Sequence, residues 1–244
     1  MKKVKKTKDT WGKLRNGFMI INLMYFIWLI GKGRFKEFYM IWNIILCWIP
    51  FELSLFFLRN NSRKKGSSKF LLILCAVLWV LFLPNCFYII TDFIHISGNS
   101  YMVINPSYKP YTTANESMYF FSDNITIWYD FLSISLGVFI GLSLGVLSLY
   151  IIQNLIEKKY NKVFSWITVI AISFTSGYAI YLGRFLRWNS WDLILNPINI
   201  INMLIHHINT KSLKFAMLFG TLNFVVYILV YILISVSKYI SNES

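Results

Sequence analysis

The sequence predicts an all-α, polytopic membrane helix bundle of about six transmembrane helices. Three observations carry this. The 244-residue chain is 57% hydrophobic and 14% charged, whereas a soluble domain carries about 25% charged residues. Its apolar residues collect into runs close to the ~20 residues that cross a bilayer as a helix. Its basic residues sit in the connections between those runs, as the positive-inside bias expects. The same placement assigns the net charge of +14 to membrane topology and not to nucleic acid.

Residues 1–16 form a basic cytoplasmic leader, with Lys2, Lys3, Lys5, Lys6, Lys8, Lys13 and Arg15 against Asp9. A cluster of this kind also touches anionic lipid. The first span, residues 17–30, is short. It lacks a small-residue cleavage site before Gly31, Lys32, Gly33 and Arg34, and so reads as an uncleaved anchor. The second span, 38–58, holds Asn43, Pro50 and Glu52. Glu52 lies within two turns of Arg59, which favours a neutral or snorkelling role over a proton relay.

The third span, 70–90, ends in LPNCFYIITDFIHI. Asn85, Tyr88, Asp92 and His95 follow one another at three, four and three residues. On a continuing helix they share one face within an arc of about 80°. Pro84 precedes them and predicts a kink where the polar face begins. Residues 97–126 form a connection long enough to suggest a lid or an interfacial segment.

The fourth span, 131–152, follows Trp128, Tyr129 and Asp130 and carries Gly137, Gly141 and Gly145 four residues apart. Such a small-residue face lets a neighbouring helix approach closely. The fifth span, 164–183, runs into Arg184, Arg187, Trp188, Asn189, Ser190, Trp191 and Asp192. Asn189 and Asp192 have the spacing of a helix cap and start a short amphipathic segment that reaches His206 and His207. The sixth span, 215–237, is followed by a short tail, 238–244. The whole of 17–237 is then one transmembrane domain.

With the amino terminus in the cytoplasm, two thirds of the 24 Lys and Arg lie on the cytoplasmic side, although Lys32, Arg34 and Lys36 fall against the bias. In this orientation Asp92, His95, Asp130, Arg184, Arg187 and Asp192 gather at the extracytoplasmic face. Guanidiniums are planar donor forks suited to phosphate, and indoles favour headgroup depth. Arg184, Arg187, Trp188, Asn189, Trp191 and Asp192, with Asn85 and Tyr88, are therefore candidates for binding an anionic lipid or lipid-linked substrate. Asp92, His95 and Asp130 are candidate acids or bases if that substrate is modified.

The alternatives stay open. The cluster is equally readable as a structural clamp in which Arg184 pairs with Asp92 or Asp130. Asp130 also suits the positive end of the fourth helix, and Asp192 a cap. The chain as a whole is readable as a transporter or accessory subunit with a membrane-protein partner, or as a non-catalytic envelope scaffold. Cys47, Cys75 and Cys86 lie within apolar runs without metal spacing, and the adjacent His206 and His207 cannot share one face of a helix. No phosphate loop, dinucleotide fingerprint, nucleophile elbow or paired-cysteine motif is present, so no metal or organic cofactor is expected.

PNCFYIITDFIHI, the WYD at Trp128–Asp130, GLSLGVLSL from Gly141 and the GRFLRWNSWD block resemble a bacterial multi-pass membrane family catalogued as domain of unknown function 1361. NIILCWIP from Asn43 is similar to that family's second span, and the resemblance covers residues 43–197. Phe87 stands where the family usually has a second proline, a departure that touches backbone shape more than chemistry. The resemblance implies a multi-pass fold in a bacterial cytoplasmic membrane. It implies no established activity and no catalytic residues.

Overall fold

The computed structural model describes residues 2–31, 33, 35–61, 66–108, 110, 117–188 and 206–243. Six long helices dominate: α1 (Lys2–Gly31), α2 (Phe38–Asn60), α3 (Lys69–Tyr88), α4 (Ile125–Lys159), α5 (Lys162–Leu186) and α6 (Thr210–Glu243). All six contain a stretch long and apolar enough to cross a membrane. A short 3-10 turn, Phe35–Glu37, leads into α2. A two-stranded antiparallel hairpin, β1 (Met102–Ile104) and β2 (Tyr119–Phe121), lies between α3 and α4.

Local chemistry sets several helix starts. Ser68 accepts from the Leu71 amide at the start of α3, and Asn124 from the Thr126 amide at α4. Asn161 accepts from the Phe164 amide at α5 and leaves only a tight turn after α4. Asn209 and Ser212 exchange reciprocal bonds, each side-chain oxygen accepting from the other's backbone N–H (3.0 and 2.9 Å). This capping-box arrangement starts α6 at Thr210. Because Asn124 caps the fourth helix, Trp128, Tyr129 and Asp130 lie inside its first two turns and do not precede it.

Helix α4 is the axis of the bundle: 72% of its most apolar stretch is buried, against 17% for α1 and for α6. Its core partners include Ile44, Cys47 and Phe51 of α2 and Leu83, Cys86 and Phe87 of α3, all fully buried. Lipid tails are as apolar as these side chains, so close packing and interhelical hydrogen bonds must hold the helices together. The glycine stripe provides the close packing. A Cβ at Gly145 would lie 2.4 Å from the Cys86 Cβ, one at Gly141 2.8 Å from Ile89, and one at Gly137 2.5 Å from Met40. The hydrogen bonds come from small polar groups. Ser148 of α4 accepts from the Trp79 indole at 2.8 Å and donates to the Pro50 carbonyl at 2.8 Å, joining α2, α3 and α4. The Tyr25 hydroxyl donates to the Ser133 carbonyl at 2.8 Å and so ties α1 to α4.

A second close approach joins α5 and α6, where Gly177 and Gly220 meet backbone to backbone. At the membrane face opposite the hairpin, Tyr227 of α6 bonds Gln153 and Lys238 bonds Tyr150, both on α4. Glu52 pairs with Arg15 of α1 and not with its sequence neighbour Arg59, because α1 packs beside α2.

Candidate functional site

The last turns of α3 position most of the site. The helix passes through Pro84 as far as Tyr88 and then tightens into a 3-10 segment, Ile89–Ile96. The change of geometry therefore falls one turn after the proline. The Thr91 hydroxyl donates to the Tyr88 carbonyl at 2.7 Å within this transition. Asn85, Tyr88, Asp92 and His95 all line the same cavity, of about 790 Å³, between α2, α3 and α5.

Asp92 is the buried centre of the polar end. One oxygen, Oδ2, accepts from the Asn43 side-chain amide at 2.7 Å. The other, Oδ1, lies 3.8 Å from His95 Nε2 and 3.9 Å from Arg184 Nη1. The Arg184 guanidinium is held elsewhere: Nη1 donates to the Tyr88 hydroxyl at 3.2 Å and Nη2 to the Thr91 carbonyl at 2.8 Å. Its carbon stands 5.8 Å from the centre of the Tyr88 ring. The Tyr39 ring packs 4.9 Å from the His95 ring.

Arg187 and Trp188 complete the rim. Arg187 ends α5 in the left-handed conformation at φ 57° and ψ 37°, which turns the chain so that the Trp188 N–H reaches back to the Leu182 carbonyl at 3.4 Å. Glycine or asparagine is usual there, and a longer side chain costs about 1–2 kcal/mol. Arginine at this turn exposes a second guanidinium at the cavity mouth. Gly183 makes room beneath it: a Cβ there would lie 3.1 Å from the Tyr88 ring.

The cavity is amphipathic along its depth. Arg184, Arg187, Trp188, Asp92 and His95 occupy one end, and Leu46, Val80, Leu81 and Ile172 the other. Ile172 and Arg184 are twelve residues apart on α5, about 18 Å along the axis. That exceeds half of a ~30 Å hydrocarbon core. Trp42, Val80 and Thr175 border the cavity and are exposed on the flank of the bundle. On membrane-crossing helices such a flank faces lipid.

The expected site residues thus divide into three groups. Asn85, Tyr88, Asp92, His95, Arg184, Arg187 and Trp188 share the cavity. Asp130 does not line it; it accepts from Lys36 at 2.6 Å, with the Asn99 amide at 3.4 Å. Asn189, Trp191 and Asp192 lie outside the described residues. Sequence reasoning noticed Asn43 in the second span without linking it to Asp92, and it overlooked Tyr39, Trp42 and Ser176. Among the described residues, no three His, Cys, Asp or Glu side chains converge as a metal set would.

Fold and site together define a multi-pass helical membrane protein with a deep amphipathic cavity between its second, third and fifth helices. Within that class, the chain belongs to the family described as protein of unknown function (DUF1361), whose model matches residues 42–236. The match extends past residue 197 into α6. No curated protein and no solved structure matches the chain.

Proposed function

We propose that the protein binds an anionic envelope lipid, or a lipid-linked anionic substrate, in the outer leaflet of a bacterial cytoplasmic membrane, with its amino terminus in the cytoplasm. One observation carries this reading. The cavity joins two guanidiniums at its mouth to an apolar slot that reaches mid-membrane depth and is open along the flank of the bundle. That is the outline of a headgroup with a chain attached. The Trp188 indole at the mouth belongs to the headgroup layer, and the guanidiniums supply paired donors for a phosphate. The Arg184 hydrogen bonds described above occupy two of the five N–H donors of a guanidinium.

A second reading rests on His95. Its Nε2 lies 3.8 Å from Asp92, and both side chains line the same cavity as the guanidiniums. A carboxylate beside an imidazole in one cavity is a setting for general acid or base chemistry, which favours modification of the bound headgroup. The transporter reading receives less support, because Glu52 is engaged by Arg15 and does not line the cavity.

The test uses Trp42 and Trp188, which border the cavity. Purified protein is reconstituted with small mole fractions of phosphatidic acid or phosphatidylcholine carrying brominated chains. Phosphatidic acid is expected to quench a saturable fraction of the tryptophan fluorescence at mole fractions where phosphatidylcholine does not. That fraction should disappear in the Trp42→Phe, Trp188→Phe double variant. Equal quenching by the two lipids at every mole fraction would contradict the proposal.

A further inference from the structure

The β1–β2 hairpin is apolar on both faces. Phe121 pairs with Met102, Phe120 with Val103 and Tyr119 with Ile104. Phe121 is 69% exposed, Ile104 63% and Met102 55%, and Phe120, on the opposite face of the ribbon, is exposed as well. Successive side chains of a strand point to opposite faces, so neither face is reserved for water. A lone two-stranded hairpin is marginal in water, and one exposing aromatic residues on both sides has no core of its own.

Its anchorage fixes its depth. The Tyr101 ring meets the Trp128 and Phe131 rings of α4 edge-on, at 5.5 and 6.4 Å. The Trp128 indole donates to the Ser122 carbonyl at 2.9 Å. The hairpin is therefore fastened to the first two turns of α4. That helix has 35 residues and is about 52 Å long, well beyond a ~30 Å hydrocarbon core and longer than the ~40–45 Å that includes the headgroups. Its carboxyl end carries Glu157, Lys158 and Lys159. The hydrocarbon then surrounds the middle of the helix and the headgroups surround its first turns. Ile125, Trp128, Tyr129, Phe131 and Leu132 are exposed there and continue the outer, lipid-facing surface of the helix into the hairpin.

We infer that the β1–β2 hairpin is a membrane-interface anchor, immersed in the headgroup layer on the membrane face from which α4 starts. Its occupant is lipid. The strands 102–104 and 119–121 carry no charge, whereas protein interfaces finish in a polar rim. The exposed surface also runs without a break into that of a membrane-crossing helix. Tyrosine and tryptophan favour that depth, and Tyr119, Trp128 and Tyr129 are exposed there. This inference does not depend on what the cavity binds.

The test places a nitroxide on the hairpin. The three native cysteines are buried, so Phe121→Cys and Phe120→Cys are labelled singly in the full chain, with the wild type as the background control. The proteins are reconstituted in phosphatidylcholine and phosphatidylglycerol vesicles, and collision rates with oxygen and with a water-soluble nickel chelate are compared. Both labels are expected to give an oxygen-to-nickel collision ratio several-fold above that of the free nitroxide label in buffer. A ratio equal to that of the free label places the hairpin in water and overturns the inference. Protection from both reagents means that protein covers it, and overturns it equally. If either variant fails to reconstitute, Met102→Cys, directly opposite Phe121, takes its place and is read by the same rule.

Discussion

Arg184→Ala is expected to weaken binding of an anionic lipid by about 10- to 100-fold. A hydrogen bond to a charged group is worth about 1.5–3 kcal/mol, and each 1.4 kcal/mol is a factor of ten. Arg184 also bonds Tyr88 and Thr91, so part of the loss will be structural. Two further variants separate the contributions. Arg184→Lys keeps the charge and loses the planar fork; binding close to wild type would mean that charge suffices, and binding as weak as in the alanine variant would identify a bidentate contact. Arg187→Ala removes an exposed side chain at the cavity mouth. It should lower affinity without lowering the melting temperature in detergent. If Arg184→Ala melts early while the folded fraction binds lipid as well as the wild type, the cluster is a clamp.

The largest expected effect on stability comes from Gly177→Val. A Cβ at Gly177 would lie 2.5 Å from the Ala216 carbonyl oxygen and 2.6 Å from the Gly220 nitrogen. Both are backbone atoms, so no side chain can rotate aside and α5 and α6 must separate. Overpacking a close-packed interior costs about 1–3 kcal/mol, and more where nothing can yield. Because α6 is mostly exposed and α5 is its main neighbour, a lower melting temperature and cleavage of α6 by protease are expected. Gly17→Ala is the control: no atom lies within 4 Å of the added Cβ, and alanine is the better helix former by about 1 kcal/mol. Equal melting of the two variants would show that the α5–α6 crossing is not close-packed.

The spans were legible because their signal is compositional. A run of twenty apolar residues needs no partner to be recognised, which is why six membrane-length helices could be read from the sequence alone. The three- and four-residue spacing of Asn85, Tyr88, Asp92 and His95 was legible for a related reason: it reports one helix face, and all four residues do line the cavity. Contacts between distant segments left no such trace. Asn43 and Asp92 are 49 positions apart, and Lys36 and Asp130 are 94. Neither Gly177 nor Gly220 belongs to a four-residue glycine repeat of the kind that exposed Gly137, Gly141 and Gly145. The early start of α4 depends on a single side-chain bond from Asn124, which hydropathy does not register. The backbone change at Ile89 was expected at Pro84, because a proline marks a lost hydrogen bond but does not fix where the chain takes up the strain.

Mass spectrometry of the intact protein shows whether the cavity holds an anionic amphiphile. The wild type and the Arg184→Ala, Arg187→Ala double variant are purified in parallel, stripped of annular lipid by detergent exchange, and ejected intact. The wild type is expected to retain one tightly held adduct with the mass of an anionic lipid, and the double variant, folded by its melting curve, to have lost it. An adduct that is neutral, or one retained equally by the folded double variant, would mean that the two guanidiniums hold no anionic lipid in the cavity.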